Sequence, residues 1–161
     1  MTTLSSAQPE QANRTPAHVI VRGNAGGFLQ EIKSGAYDLR ADEPVSVGGT
    51  GAAPDPYDYL LTGLGACTSM TVGLYARRTQ IPLESVTVSL RHSRVYAKDC
   101  ADCMTKEGML DRIDVEVDLT GPLTPEQRAK LIEVAGKCPV HRTLKSEIEI
   151  RVQDSQKVSA S

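Results

Sequence analysis

Apolar and polar residues alternate along residues 84–96. Val86, Val88, Leu90 and His92 fall on one face, and Thr87, Ser89, Arg91 and Ser93 on the other. Residues 109–119 repeat the pattern, with Ile113, Val115, Val117 and Leu119 opposite Asp114, Glu116 and Asp118. A last run sets Ile148, Ile150 and Val152 against Glu147, Glu149 and Arg151. A period of two predicts strands with one face buried and one in water, the habit of antiparallel sheets. Shorter strands are predicted over His18–Arg22, Phe28–Lys33 and Ala36–Ala41, separated by Gly23-Asn24, Gly26-Gly27 and Ser34-Gly35. The glycine-rich loop at 48–51 lacks the Gly-Lys-Ser/Thr ending of a phosphate loop, so nothing in it would reach a terminal phosphate.

Between these strands the period changes. Pro56 to about Thr79 reads as one long helix, with Asp55 at the N-cap, Pro56 at N1 and Asp58 in the first turn, where a carboxylate meets the positive end of the dipole. Arg77 and Arg78 suit its other end, and Pro82 prevents continuation. Leu60, Leu64, Cys67, Thr71 and Leu74 follow 4-3-4-3 spacing, which predicts a shared buried face. A second stripe, Thr62, Ala66, Ser69 and Gly73, is uniformly small. Such a stripe, with glycines at 63, 65 and 73 in a helix, suits a second backbone packed close. A second helix is expected from Pro125 to Gly136, with Thr124 and Gln127 as a capping box. A short helical piece restarts at Cys138-Pro139. Strands, helix, two strands, helices and a strand make an α+β fold, read as a single domain over 17–153 with disordered tails at 1–16 and 154–161.

Composition narrows the function classes. A net charge of −2 over 161 residues gives no electrostatic case for nucleic acid or an anionic membrane. With no Trp, one Phe and five Tyr, base-stacking platforms are disfavoured. No apolar run approaches the length of a membrane span, and the polar N-terminus lacks the apolar core of an export signal. Four cysteines in such a chain point to reduced thiols in the cytoplasm, with catalytic or metal roles ahead of structural disulfides.

The candidate chemistry is therefore sulfur chemistry. Cys67, in GACTSMT at 65–71, reads most simply as a small apolar residue on a helix stripe; as a reactive thiol it needs a nearby cation. Cys138, in CPVHRTL at 138–144, precedes a helix start, whose free N–H groups favour a thiolate, and has His141 and Arg142 a turn away. Its plain alternative is a buried cap residue. Cys100 and Cys103, in DCADC at 99–103, supply half of a zinc site, a labile disulfide loop, or an exposed hairpin tip. His92, Cys67 or Cys138 would have to complete a metal site. His92 otherwise reads as a core-edge histidine, Arg22 as a solvated strand end and Asp58 as a helix N-terminal charge.

Together, PYDYLLTGLGACT at 56–68 and CPVHRTL at 138–144 resemble the OsmC/Ohr family of osmotically inducible and organic hydroperoxide resistance proteins. The resemblance runs from about residue 17 to 153. It implies antiparallel-rich sheets wrapped around a long central helix, in an intertwined homodimer. It also implies a cofactor-free thiol peroxidase that reduces organic hydroperoxides. Cys67 would attack the peroxide and Cys138 would resolve the product as a disulfide. An external dithiol of the dihydrolipoamide kind would then restore both thiols. Arg22 matches the family arginine. Where the family peroxidases carry a glutamate ten residues before the attacking cysteine, this chain has Tyr57, and the nearest acid is Asp58. Tyr57, Leu64 and Met70 would line the substrate pocket. Two other readings use the same residues: a small-molecule binding protein on the OsmC-like scaffold, and a zinc-stabilised protein using Cys100 and Cys103.

Overall fold

A computed structural model describes residues 19–101, 103–152 and 154. His18 and the expected tails, Asp154 apart, lie outside them. Five strands and three α-helices are present among the described residues. In order they are β1 (Val19–Arg22), β2 (Gln30–Ser34), β3 (Tyr37–Ala41), α1 (Pro56–Thr79), β4 (Ser85–Tyr96), β5 (Met109–Thr120), α2 (Pro125–Ala135) and α3 (Pro139–Lys145). The class is α+β with antiparallel sheets, as the sequence implied. Contacts gather into two units, which meet in the chain between Tyr59 and Leu60.

In the first unit, β1, β2 and β3 form an antiparallel sheet in that order. Ser34 pairs with Tyr37, leaving Gly35-Ala36 as a two-residue turn; Gly35 has φ 58°, the left-handed region that this turn requires. The sheet ends at Asp42, which is 2% exposed and organises the loop that follows. Its carboxylate accepts hydrogen bonds from the Glu43 N–H at 2.8 Å, the Thr50 N–H at 3.0 Å, the Thr50 hydroxyl at 2.5 Å and the Ala52 N–H at 3.1 Å. The glycine-rich loop thus turns its donors onto a carboxylate of its own chain. Gly49 makes the wrap possible, because a Cβ there would sit 1.8 Å from the Glu43 carbonyl oxygen.

These donors, the Thr50 hydroxyl first and the Ala52 N–H next, hold the Asp42 carboxyl at about 2, below its ordinary 3.8, against the opposing effect of burial. A depressed carboxyl pKa stabilises the folded loop fully above the ordinary value, and that contribution is lost as pH falls from about 3.8 towards 2. The protection of the Thr50 and Ala52 amides against hydrogen exchange, taken relative to the free amide at the same pH, is expected to be high at pH 5 and to fall between pH 4 and 2. In Asp42→Asn the fall in that window should vanish. An unchanged acid profile in the variant would show that another group governs the loop.

Asp55 and Asp58 cap the start of α1 reciprocally. The Asp58 N–H donates to Asp55 Oδ1 at 2.8 Å, and the Asp55 N–H donates to Asp58 Oδ2 at 3.2 Å. The Tyr59 hydroxyl donates to the Arg40 carbonyl and ties this first turn to β3.

In the second unit, β4 and β5 form a long two-stranded ladder, from Ser85 opposite Thr120 to Tyr96 opposite Met109. Residues Val86, Val88, Leu90 and His92 are half-buried and alternate with exposed neighbours, as their spacing predicts. The core gathers Val72 and Ala76 of α1, Leu119 of β5, and Leu131 and Ala135 of α2. α2 starts in the predicted capping box: the Gln127 N–H donates to Thr124 Oγ1 at 3.2 Å, and the Thr124 N–H donates to Gln127 Oε1 at 3.0 Å.

Two expectations are corrected. The first is the buried face of α1, which consists of Leu64, Gly65, Thr68, Val72 and Ala76 rather than the 4-3-4-3 stripe. Only Leu64 belongs to both. Spacing by fours advances the stripe about 40° per step. A face built partly from Gly65 and Thr68 carries little hydrophobic signal. Leu60 and Leu74 are exposed, and Cys67 and Thr71 flank the buried row. The close backbone expected against the small residues is not found at these glycines: a Cβ at Gly65 would meet a side chain, Leu90 Cδ1, at 2.7 Å, and at Gly63 it would meet nothing within 4 Å. The second correction is the last strand. Residues 147–152 form no strand, and Ile150 and Val152 are exposed. Alternation makes a segment fit for a sheet, but a strand also needs a partner, and among the described residues β4 and β5 pair only with each other, with no pairing from 147–152.

Candidate functional site

Cys138 sits where the sequence puts it, at the N-cap of α3, with Pro139 at the first helical position. Its sulfur is the cap: the His141 N–H donates to Cys138 Sγ at 3.3 Å. A second contact comes from α1, whose Thr68 hydroxyl lies 3.5 Å from the same sulfur. Both residues are buried, Cys138 at 0% and Thr68 at 2% exposed. Thr68 directly follows Cys67, so the fold brings Cys138, 71 positions further along the chain from Cys67, to the turn of α1 that carries it. Cys67 is half-buried and has a free thiol, as does Cys138. Sequence reasoning missed Thr68. Its only signal was a hydroxyl on the residue next to the cysteine.

The remaining candidates are placed as follows. Leu64 is buried on the α1 row one turn before Thr68, and Met70 is 72% exposed. Tyr57 and Asp58 belong to the first unit, and Asp58 is engaged in the Asp55 capping box. Arg22 ends β1 opposite Glu31. His92 directs Nε2 to Asp111 Oδ1 at 2.9 Å, across the β4–β5 ladder. Cys100 and Cys103 are bonded to each other. Among the described residues, no three His, Cys, Asp or Glu side chains converge as a metal site would require. No helix among them is long and apolar enough to cross a membrane.

A buried thiol on one helix thus touches the residue that follows a half-buried thiol on another. The chain belongs to the OsmC-like protein family, whose model matches residues 49–153. Its fold is shared with solved structures of low sequence identity. The OsmC-like protein from Mycoplasma pneumoniae is 22% identical with a TM-score of 0.64, over 81% of this chain and 88% of that one. The organic hydroperoxide resistance protein from Elizabethkingia anophelis is 21% identical with a TM-score of 0.60, over 81% and 89%. The organic hydroperoxide resistance protein OhrB of Bacillus subtilis is 21% identical with a TM-score of 0.57, over 83% and 93%. No curated protein matches the chain.

Proposed function

We propose that this protein is a thiol peroxidase that reduces organic hydroperoxides to alcohols. The observation that carries the proposal is the Thr68–Cys138 contact, which sets a buried thiol beside the turn that bears Cys67. The Cys67 thiolate attacks the terminal peroxide oxygen, the O–O bond breaks, and the alkoxide leaves as the alcohol after taking a proton. Cys67 is then a sulfenic acid. The Cys138 sulfur attacks it, water departs, and a Cys67–Cys138 disulfide remains. An external dithiol reduces this bond by two exchange steps and is itself oxidised to a disulfide. Arg22 is the cation that the family resemblance assigns to the thiolate.

The proposal includes a homodimer. Leu60, Met70 and Leu74 of α1 are 38%, 72% and 42% exposed, apolar surface that a second copy would cover. The pairing-competent segment 147–152 is also unpaired within the described residues of its own chain.

A second reading keeps the scaffold and gives up the chemistry. It draws on Tyr57 in place of the family glutamate and on Asp58 being held by Asp55. It also draws on an apolar groove of about 450 Å³ in the first unit, bounded by Val19, Val21, Ile32, Leu39 and Tyr59. On this reading the protein binds an apolar small molecule and turns over little peroxide.

Stopped-flow mixing of the reduced protein with cumene hydroperoxide, followed by peptide mass spectrometry, separates the two. The peroxidase reading expects fast oxidation, cumyl alcohol and a Cys67–Cys138 disulfide, in a particle of twice the chain mass by sedimentation. Slow oxidation without that disulfide hands the protein to the binding reading, and a monomer in solution removes the dimer.

A further inference from the structure

The tip of the β4–β5 hairpin holds a sulfur pair that the proposed reaction does not use. Cys100 and Cys103 are bonded to each other and both are half-buried. The bond adds little to the fold. It closes a loop three residues apart in sequence, and the entropy that a disulfide removes from the unfolded chain is smallest for the shortest loops. The hairpin is already registered up to Tyr96 opposite Met109. Beyond that pair the Ala97 N–H donates to the Gly108 carbonyl at 2.8 Å, and the Cys100 N–H to the Ala97 carbonyl at 3.1 Å.

The surroundings suit exchange. Lys106 Nζ donates to the Ala101 carbonyl at 3.4 Å, which holds a cation at the backbone of the residue after Cys100. A cation beside a departing sulfur favours the thiolate and speeds its release. Met104, next to Cys103 in the chain, is 98% exposed, and Tyr96 and Met109, the last pair of the ladder, are 59% and 41% exposed, so this end of the hairpin offers apolar surface to a visiting molecule. C-x2-C spacing returns the second thiol to within bonding reach of the first once the pair is reduced.

We propose that Cys100 and Cys103 form a thiol–disulfide exchange site for a small dithiol with an apolar body, separate from Cys67 and Cys138. A thiolate of the dithiol attacks one sulfur of the pair. The Cys100–Cys103 bond breaks, and the other sulfur leaves as a thiolate and takes a proton. The second thiol of the dithiol then attacks its own sulfur in the mixed disulfide, closes a disulfide within the visitor and frees the second cysteine. Two electrons and two protons pass to the protein, and the reverse sequence oxidises a dithiol.

The test equilibrates full-length native protein in dihydrolipoamide and lipoamide at graded ratios, then quenches, alkylates and digests it with trypsin. The peptide 99–106 contains both cysteines and neither Cys67 nor Cys138. Its passage from the bonded to the doubly alkylated form across roughly a hundredfold change of ratio, with circular dichroism unchanged, is the expected result. In Cys100→Ser or Cys103→Ser the peptide should instead stay singly alkylated at every ratio, because neither variant can form the bond. A bond that persists until denaturant is added would make the pair a structural staple and overturn the proposal. Reduced thiols that stay reduced at every ratio and retain equimolar zinc would overturn it in favour of a metal site. Repeating the titration on Cys67→Ser separates this site from the peroxidase reading, since exchange at 99–106 should be unaltered there.

Discussion

Cys67→Ser is expected to lower consumption of cumene hydroperoxide by roughly a thousandfold or more, the scale of losing a reacting nucleophile. Cys138→Ser should behave differently. Serine is itself a favoured N-cap, so its hydroxyl can accept the His141 N–H and α3 keeps its start. The first turnover should then proceed at the normal rate and stop with Cys67 as a sulfenic acid, which dimedone labels and mass spectrometry reads. The contrast between the two variants carries the assignment. Full turnover in Cys67→Ser, or a Cys138→Ser protein whose first oxidation is slowed as severely as that of Cys67→Ser, would reverse the roles and make Cys138 the attacking sulfur. Cys138→Ala is the poorer probe, because loss of the cap alone costs about 0.5–2 kcal/mol.

Leu131→Ala should give the largest loss of stability. Leu131 is 0% exposed and is packed among Val72, Ala76, Leu119 and Ala135, where α1, α2 and β5 share one core. Truncating a buried leucine removes its transfer free energy and leaves a cavity, together about 2–5 kcal/mol. That is a large share of the roughly 5–15 kcal/mol that holds a typical domain together. Urea unfolding followed by circular dichroism should show the midpoint fall with an unchanged slope. A loss under about 1 kcal/mol would mean that α2 closes over the gap, and that the core is looser than its burial indicates.

The sequence was most legible where local chemistry punctuates the chain. Asp55-Pro56 and Pro82 delimit α1, the Thr124–Gln127 box opens α2, and Cys138-Pro139 opens α3. The ladder of β4 and β5 follows from alternation alone, because one face must leave water. The buried side of α1 was harder to read. Hydrophobicity marks Leu60 and Leu74, yet the packed row runs through Gly65 and Thr68, one chosen for the approach of Leu90 and the other for its contact with a sulfur on another helix. Asp42 was missed for a related reason. Its partners are backbone amides one, eight and ten residues away and one hydroxyl, and an acid before a glycine-rich loop without a lysine was the available clue. Residues 147–152 show the limit of periodicity: alternation makes a segment fit for a sheet without supplying the partner strand.

The Cys138 sulfur has one set of lone pairs and two calls on it. In the reduced protein it closes the first turn of α3 and meets the hydroxyl of α1. In the proposed disulfide, a sulfur rotated towards Cys67 would release the His141 amide and the Thr68 hydroxyl. Oxidation would therefore loosen the start of a short helix, and the redox state of the pair would be written into the order of α3.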